Sequence, residues 1–223
     1  MIFQYPKLEQ QDRDVLEMIR QLRRDLRHQV NVNPSRWTGF LRRNTFARAL
    51  QGSNSIEGFN ADLSEAVAIV DEEKPETLQA ETEKALTRYR TALTYILGLH
   101  DDPYAQINAQ IIRSLHFMML NYDMTMLPGQ WRPGPIRVVN ELTGKAVYDG
   151  PSPHEVPNLV DELVSQITDA RSIESSTVLA AMAHLNLAMI HPFRDGNGRM
   201  SRALQTLVLT RNNVLSPVFC SIE

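Results

Sequence analysis

Twelve consecutive residues, His191-Pro192-Phe193-Arg194-Asp195-Gly196-Asn197-Gly198-Arg199-Met200-Ser201-Arg202, join two apolar segments of helical period and restrict what the rest of the chain can build. The first segment runs through Val178, Ala181, Met182, Leu185, Met189 and Ile190, with Ser175 or Ser176 as its N-cap. Pro192 disfavours helical geometry at His191, so the helix is expected to stop there with the imidazole at its end. Asp195-Gly196-Asn197-Gly198 is a turn sequence, and glycine tolerates the positive φ values that let backbone N–H groups converge into an anion nest. A second helix follows with Met200, Ala203, Leu204 and Leu207 inward, so its N-terminus faces that nest.

Arg199 and Arg202 lie one turn apart at the start of the second helix, where the macrodipole is already positive and cations are unfavourable. An anion therefore belongs there. Two arginines, a glycine nest and a helix N-terminus describe a site for a polyanion such as a nucleotide polyphosphate. Asp195 adds the single carboxylate with which proteins hold magnesium beside phosphates. His191 is the one neutral base within reach, suited to taking a proton from an attacking hydroxyl. Asp-Gly-Asn-Gly alone would only reverse the chain; the full twelve residues say more.

His-Pro-Phe-x-Asp-Gly-Asn-Gly-Arg-x-x-Arg resembles the signature of the Fic family, with every specified position filled. The resemblance covers residues from about Phe40 to the end and implies an α-helical fold that transfers AMP from ATP to a protein hydroxyl. It implies that His191 is the general base and Asp195 the magnesium ligand. Gly196, Asn197 and Gly198 would form the phosphate nest, Arg199 would grip the phosphates and Arg202 the γ-phosphate. Phe193 would anchor the turn. Doc-type kinases, a related group, carry lysine where this chain has Gly198, which speaks against phosphate transfer.

A second stretch gains meaning beside the first. Ser53 and Glu57 are four residues apart on one helical face, and Gly58 is a natural C-cap. Alone, this is an ordinary helix end. Ser-x-x-x-Glu-Gly also resembles the family's inhibitory motif, which implies that Glu57 pairs with Arg202 in the place of the ATP γ-phosphate.

At 223 residues with a net charge of −3, the chain can bury one substantial core and offers no basic footprint for nucleic acid. Its single cysteine, Cys220, suits a reducing, cytoplasmic setting, and no apolar run approaches membrane-spanning length. His28, His100, His116 and His154 are dispersed and suggest no metal cluster, and His184 reads as packing.

The pattern predicts a mostly α protein with a small β-hairpin. Residues 1–35 form a helical arm, with Leu16, Ile19, Leu22 and Leu26 as its stripe and a stop at Asn31 to Pro34. By the resemblance, residues 36–223 would be the Fic domain, with the inhibitory helix at about 44–58. Further helices are expected at Ala61–Val70, Thr77–Leu99 (Ala85, Tyr89, Leu93, Ile96 and Leu97 inward), Ile107–Leu120 (Ile111, Leu115 and Met118 inward) and Glu155–Ile167. Ile136, Arg137, Val138 and Val139 begin the hairpin, with a second strand at Lys145 to Tyr148. By resemblance this hairpin is a flap that clamps a target segment by strand addition. Family members usually continue with further helix, which predicts that the chain is a fragment of a longer protein.

The expected activity is that of a protein adenylyltransferase using ATP and Mg2+ on a Ser, Thr or Tyr hydroxyl and held in check by Glu57. The pattern is compatible with self-modification and with a homodimer. A hydrolase removing AMP through the same site and a non-catalytic nucleotide-binding adaptor are the alternatives; pure binding would need neither His191 nor Asp195.

Overall fold

The computed structural model describes residues 2–32, 36–100, 102–139, 143–144, 146–169 and 175–214. Among them the apolar periodicities become eight α-helices: α1 (Gln10–Val32), α2 (Arg36–Ile56), α3 (Leu63–Val70), α4 (Ala80–Gly98), α5 (Ala109–Leu120), α6 (Val156–Thr168), α7 (Ser176–Ile190) and α8 (Asn197–Arg211). One antiparallel hairpin, β1 (Arg137–Val139) with β2 (Ala146–Asp149), lies between α5 and α6. Tyr148 and Asp149 pair with Val138 and Arg137, so the second strand runs one residue beyond its predicted end. Asn31 is still helical, and Asn33 and Pro34, the hairpin turn at 140–142 and 145, and the segment 215–223 with Cys220 lie outside the described residues.

Helix α8 sits at the centre, packed against α7, α4, α5 and α2. Met200, Ala203, Leu204, Leu207 and Val208 are all buried along it. Each large aliphatic side chain contributes about 1.5–3 kcal/mol by leaving water. The inward face of α7 differs from the predicted one: Leu179, Ala180, Met182, Ala183, Leu187 and Ile190 are buried, whereas Ala181 and Leu185 face outward. Eleven of the fifteen positions of α7 are apolar, so spacing alone leaves its rotation undetermined. In α5 the buried face is Ile112, Leu115, His116, Met119 and Leu120, and Ile111 and Met118 are only half-buried.

The chain's start is tied to this body. Ile2 joins the core, and the Asn186 side chain bonds both polar groups of Phe3, accepting from its N–H at 2.8 Å and donating to its carbonyl at 3.0 Å. Among the described side chains of α1 only Leu16 is buried; Leu22 and Leu26 are exposed, and Arg23 donates to the Asn213 carbonyl.

The helix starts differ in a way that matters for the site. Asp62 closes a capping box on α3, Asn108 caps α5, and Ser175 caps α7 by accepting from Thr177 N–H. Helix α8 begins at Gly196, which has no side chain to cap it. Its first-turn donors are left for something else.

Candidate active site

The turn before α8 is braced from beneath. Phe193 is fully buried and stacks on His116, ring centroids 3.7 Å apart and nearly parallel, with Trp131 tilted against it at 5.1 Å. Asn197 closes the turn with its side chain, accepting from Phe193 N–H and donating to the Phe193 carbonyl, both at 2.9 Å. Only the backbone of Asn197 is thus turned to a ligand's use. His116 accepts from Gly129 N–H at Nδ1 (2.8 Å) and donates from Nε2 to the Asp195 carbonyl (3.0 Å), which fixes its neutral tautomer. Burial pushes its pKa down to about 4.

His191 ends α7 in the left-handed region, φ 50° and ψ 59°, as Pro192 requires it to leave the helix. That conformation costs a residue with a Cβ about 1–2 kcal/mol, so neighbours must hold it. Its Nδ1 lies 3.3 Å from the Ala188 carbonyl, and a proton there leaves the Nε2 lone pair available. Burial lowers its pKa, and the nearby Arg132 cation lowers it further against the opposing Ala188 bond and the Glu57 and Asp195 charges. The imidazole is accordingly neutral near pH 7.

The anion site is built on the bare end of α8. Gly196 takes φ 72°, which a side chain would strain, while Gly198 lies inside the first helical turn and needs no such freedom. Arg199 is only 1 % exposed, sits 5.2 Å over the Phe59 ring, and has no hydrogen-bond partner at Nε or Nη1. Such orphaned donors on a buried cation are costly unless a ligand meets them. Asp195 is half-buried and accepts from Gly196 N–H at 2.7 Å through Oδ1. Among the described residues no group of three or more His, Cys, Asp or Glu is gathered for a metal. One carboxylate beside a phosphate nest fits magnesium, which keeps waters and phosphate oxygens as its other ligands.

Arg202 is already engaged. Its Nη2 donates to Glu57 Oε1 at 2.7 Å and to the Ser53 carbonyl at 2.9 Å, while Nε donates to Ser53 Oγ at 2.7 Å. The pair is partly buried, with the Arg202 side chain 12 % and Glu57 25 % exposed. Gly198 makes the approach possible: a Cβ there would collide with Glu57 Oε1 and crowd Arg202 Nη1. Gly58 ends α2 at φ 87° and turns the chain so that Phe59 reaches Arg199. The Ser53–Phe59 segment therefore touches both arginines.

Residues 106–209 match the sequence pattern of the Fic/DOC family. That stretch of the chain is similar to Fic domains, and the fold is of the Fic helical type. The chain is 32% identical over 91 residues to a protein adenylyltransferase of Caenorhabditis elegans, covering 40% of this chain and 17% of that protein. It is 26% identical to the Fic protein adenylyltransferase of Nematostella vectensis over 92% of this chain and 47% of that one. The chain thus spans less than half the length of the curated relatives it matches. In structure it is similar to a Fic-domain signalling protein of Bacteroides thetaiotaomicron, TM-score 0.74 at 24% identity, covering 88% of this chain and 72% of that one. At that identity the match speaks for the fold, which is helical as predicted.

Ile136, expected to begin the hairpin, lies one residue before β1 and is half-buried, while Arg137 pairs with Asp149 at 2.6 Å on an exposed surface. Val138 and Val139 contribute their backbone to the ladder. Among the described residues the sheet has only these two strands, so each keeps an outer edge. Sequence reasoning passed over three residues that the fold brings to the site: His116, Arg132 and Phe59. The first two come from α5 and the segment before β1, far from the turn in sequence, with no local pattern to betray them.

Proposed function

We propose that the protein transfers AMP from ATP to a Ser, Thr or Tyr hydroxyl of a protein, itself included, and that its α2 end restrains the reaction. The observation that carries this is the uncapped N-terminus of α8 with two arginines: Arg199 lacks partners at Nε and Nη1, and Arg202 is occupied by Glu57 and Ser53. The adenylyltransferase relatives support the same reading.

In this mechanism the triphosphate lies on the amides of Asn197 and Gly198, joined by that of Gly196 once Asp195 releases it, with Arg199 on its phosphates and Arg202 on the γ-phosphate. The target oxygen attacks the α-phosphorus in line, its proton passes to Nε2 of His191, and the bond to pyrophosphate breaks. Asp195 would hold Mg2+, which neutralises phosphate charge. The protein contributes positioning and charge stabilisation. While Glu57 holds Arg202, the γ-phosphate lacks its ligand and the triphosphate is out of line. The hairpin edge at residues 136–139 would receive the target as an added strand. The proposed setting is the cytoplasm, on the ground of the single cysteine; no described helix is long and apolar enough to cross a membrane.

The test is incubation of the wild-type protein and Glu57→Gly with labelled ATP, UTP, GTP and CTP and magnesium, followed by intact mass. Glu57→Gly should gain AMP mass from ATP about a hundredfold faster than wild type, the rate equivalent of displacing a charged pair held by a few kcal/mol. Equal incorporation in the two proteins would remove the inhibitory role, and no incorporation into the protein or a lysate would remove the activity.

A further inference from the structure

Arg132 lies just before the hairpin, is 3 % exposed, and has no carboxylate partner among the described residues. A buried cation without a counterion is expensive, and here three carbonyls compensate it. Its Nε donates to the His191 carbonyl at 2.8 Å, Nη1 to Gly134 at 2.7 Å and Nη2 to Pro151 at 2.6 Å. Its own backbone N–H donates to the Pro192 carbonyl at 2.9 Å. One residue thus grips two successive carbonyls of the signature turn, the chain entering β1 and the chain leaving β2. Gly150 lets the hairpin close at that point, because a Cβ there would run into the Ile136 side chain.

We propose that Arg132 is a positioning residue for the transfer reaction: it holds His191 in its left-handed conformation through the main chain and fixes the hairpin base to the same guanidinium. The inference rests on reading His191 as the general base. Two consequences follow from the geometry. The imidazole is aimed by a group that touches neither nucleotide nor target, and a displacement of the hairpin base is transmitted to the base that takes the proton. Lysine cannot substitute, since one ammonium cannot reach three carbonyls lying in different directions. The guanidinium charge also lowers the His191 pKa, an effect that lysine would keep and glutamine would lose. The charged groups acting on the imidazole are Arg132 from the segment before β1, Glu57 from α2 and Asp195 from the turn.

The experiment compares Arg132→Lys and Arg132→Gln in a Glu57→Gly background, reading pyrophosphate release from ATP with magnesium and ATP affinity by calorimetry. Both variants should lower the maximal rate about tenfold or more, as misplacement of a reacting group does, with ATP affinity within about twofold of the parent because α8 is untouched. In the pH profile the acid limb should move to higher pH in Arg132→Gln and stay in place in Arg132→Lys. An unchanged maximal rate in Arg132→Lys, or parallel loss of rate and ATP affinity, would overturn the proposal. If Arg132→Gln does not fold, Arg132→Lys alone decides through its rate and affinity. If the Glu57→Gly parent itself releases no pyrophosphate, the proposed function has failed, and the His191 imidazole resonance by NMR still decides this inference. A shifted resonance in Arg132→Lys supports positioning, and an identical one refutes it.

Discussion

At the scale of single residues, the proposed function rests on the imidazole of His191 as the base and on the missing side chain of Gly198, which lets Glu57 approach Arg202. His191→Ala should abolish transfer in the Glu57→Gly protein while leaving ATP affinity by calorimetry nearly unchanged; full transfer in a folded variant would remove it from the mechanism. Because burial lowers the His191 pKa, the base stays neutral as pH falls to the ordinary histidine value of about 6.5, and activity should drop only below it. Asp195→Ala should weaken magnesium-dependent turnover more than nucleotide binding, since the amides of α8 and Arg199 remain; turnover undiminished in EDTA would contradict the magnesium assignment. Gly198→Ala should separate Glu57 from Arg202. A double-mutant cycle on these two charges by thermal unfolding should give clear coupling with glycine at 198 and almost none with alanine.

At the scale of elements, the end of α2 contacts α8, and in the proposed function this contact is a latch. Ser53 supplies two of the three Arg202 contacts, a hydroxyl and a carbonyl, and Glu57 the third. Ser53→Ala removes only the hydroxyl, a neutral acceptor toward a cation, worth about 1.5–3 kcal/mol. Its activation, measured by AMP incorporation, should be weaker than that of Glu57→Gly. Arg202→Ala should be inactive with or without Glu57, since the phosphate ligand and the inhibitory contact leave together. An active Arg202→Ala, Glu57→Gly double variant would disconnect Arg202 from catalysis.

At the scale of the whole molecule, stability and the site share parts. His116 is neutral in the folded chain down to about pH 4, whereas the unfolded chain binds its proton near 6.5. The unfolded state therefore holds the extra proton between these values, and folding stability declines as pH falls from about 6.5 to about 4, by about 3 kcal/mol from this residue at most. Urea unfolding at pH 7.5 and pH 5 should show this loss, and a folded His116→Gln variant should show less of it. His184 and His191, whose pKa values are also lowered by burial, leave a remainder in the same direction.

The sequence by itself determined the helical order, the turn from His191 to Arg202 and the end of α2, because each is a local pattern: period, cap, proline stop and glycine bend act within a few residues. It did not determine which way α7 faces, since apolar residues lie on all sides of that helix and only packing against α6 and α8 chooses among them. It did not reveal that His116 and Arg132 brace the turn, because their partners lie 79 and 59 residues away and no spacing rule spans such distances. Nor does the turn sequence disclose the value of Gly198, which is not backbone freedom. Its φ is ordinary, and only the tertiary structure, by bringing the Glu57 carboxylate against it, shows that the absence of a Cβ is what lets one helix end reach the arginine of another.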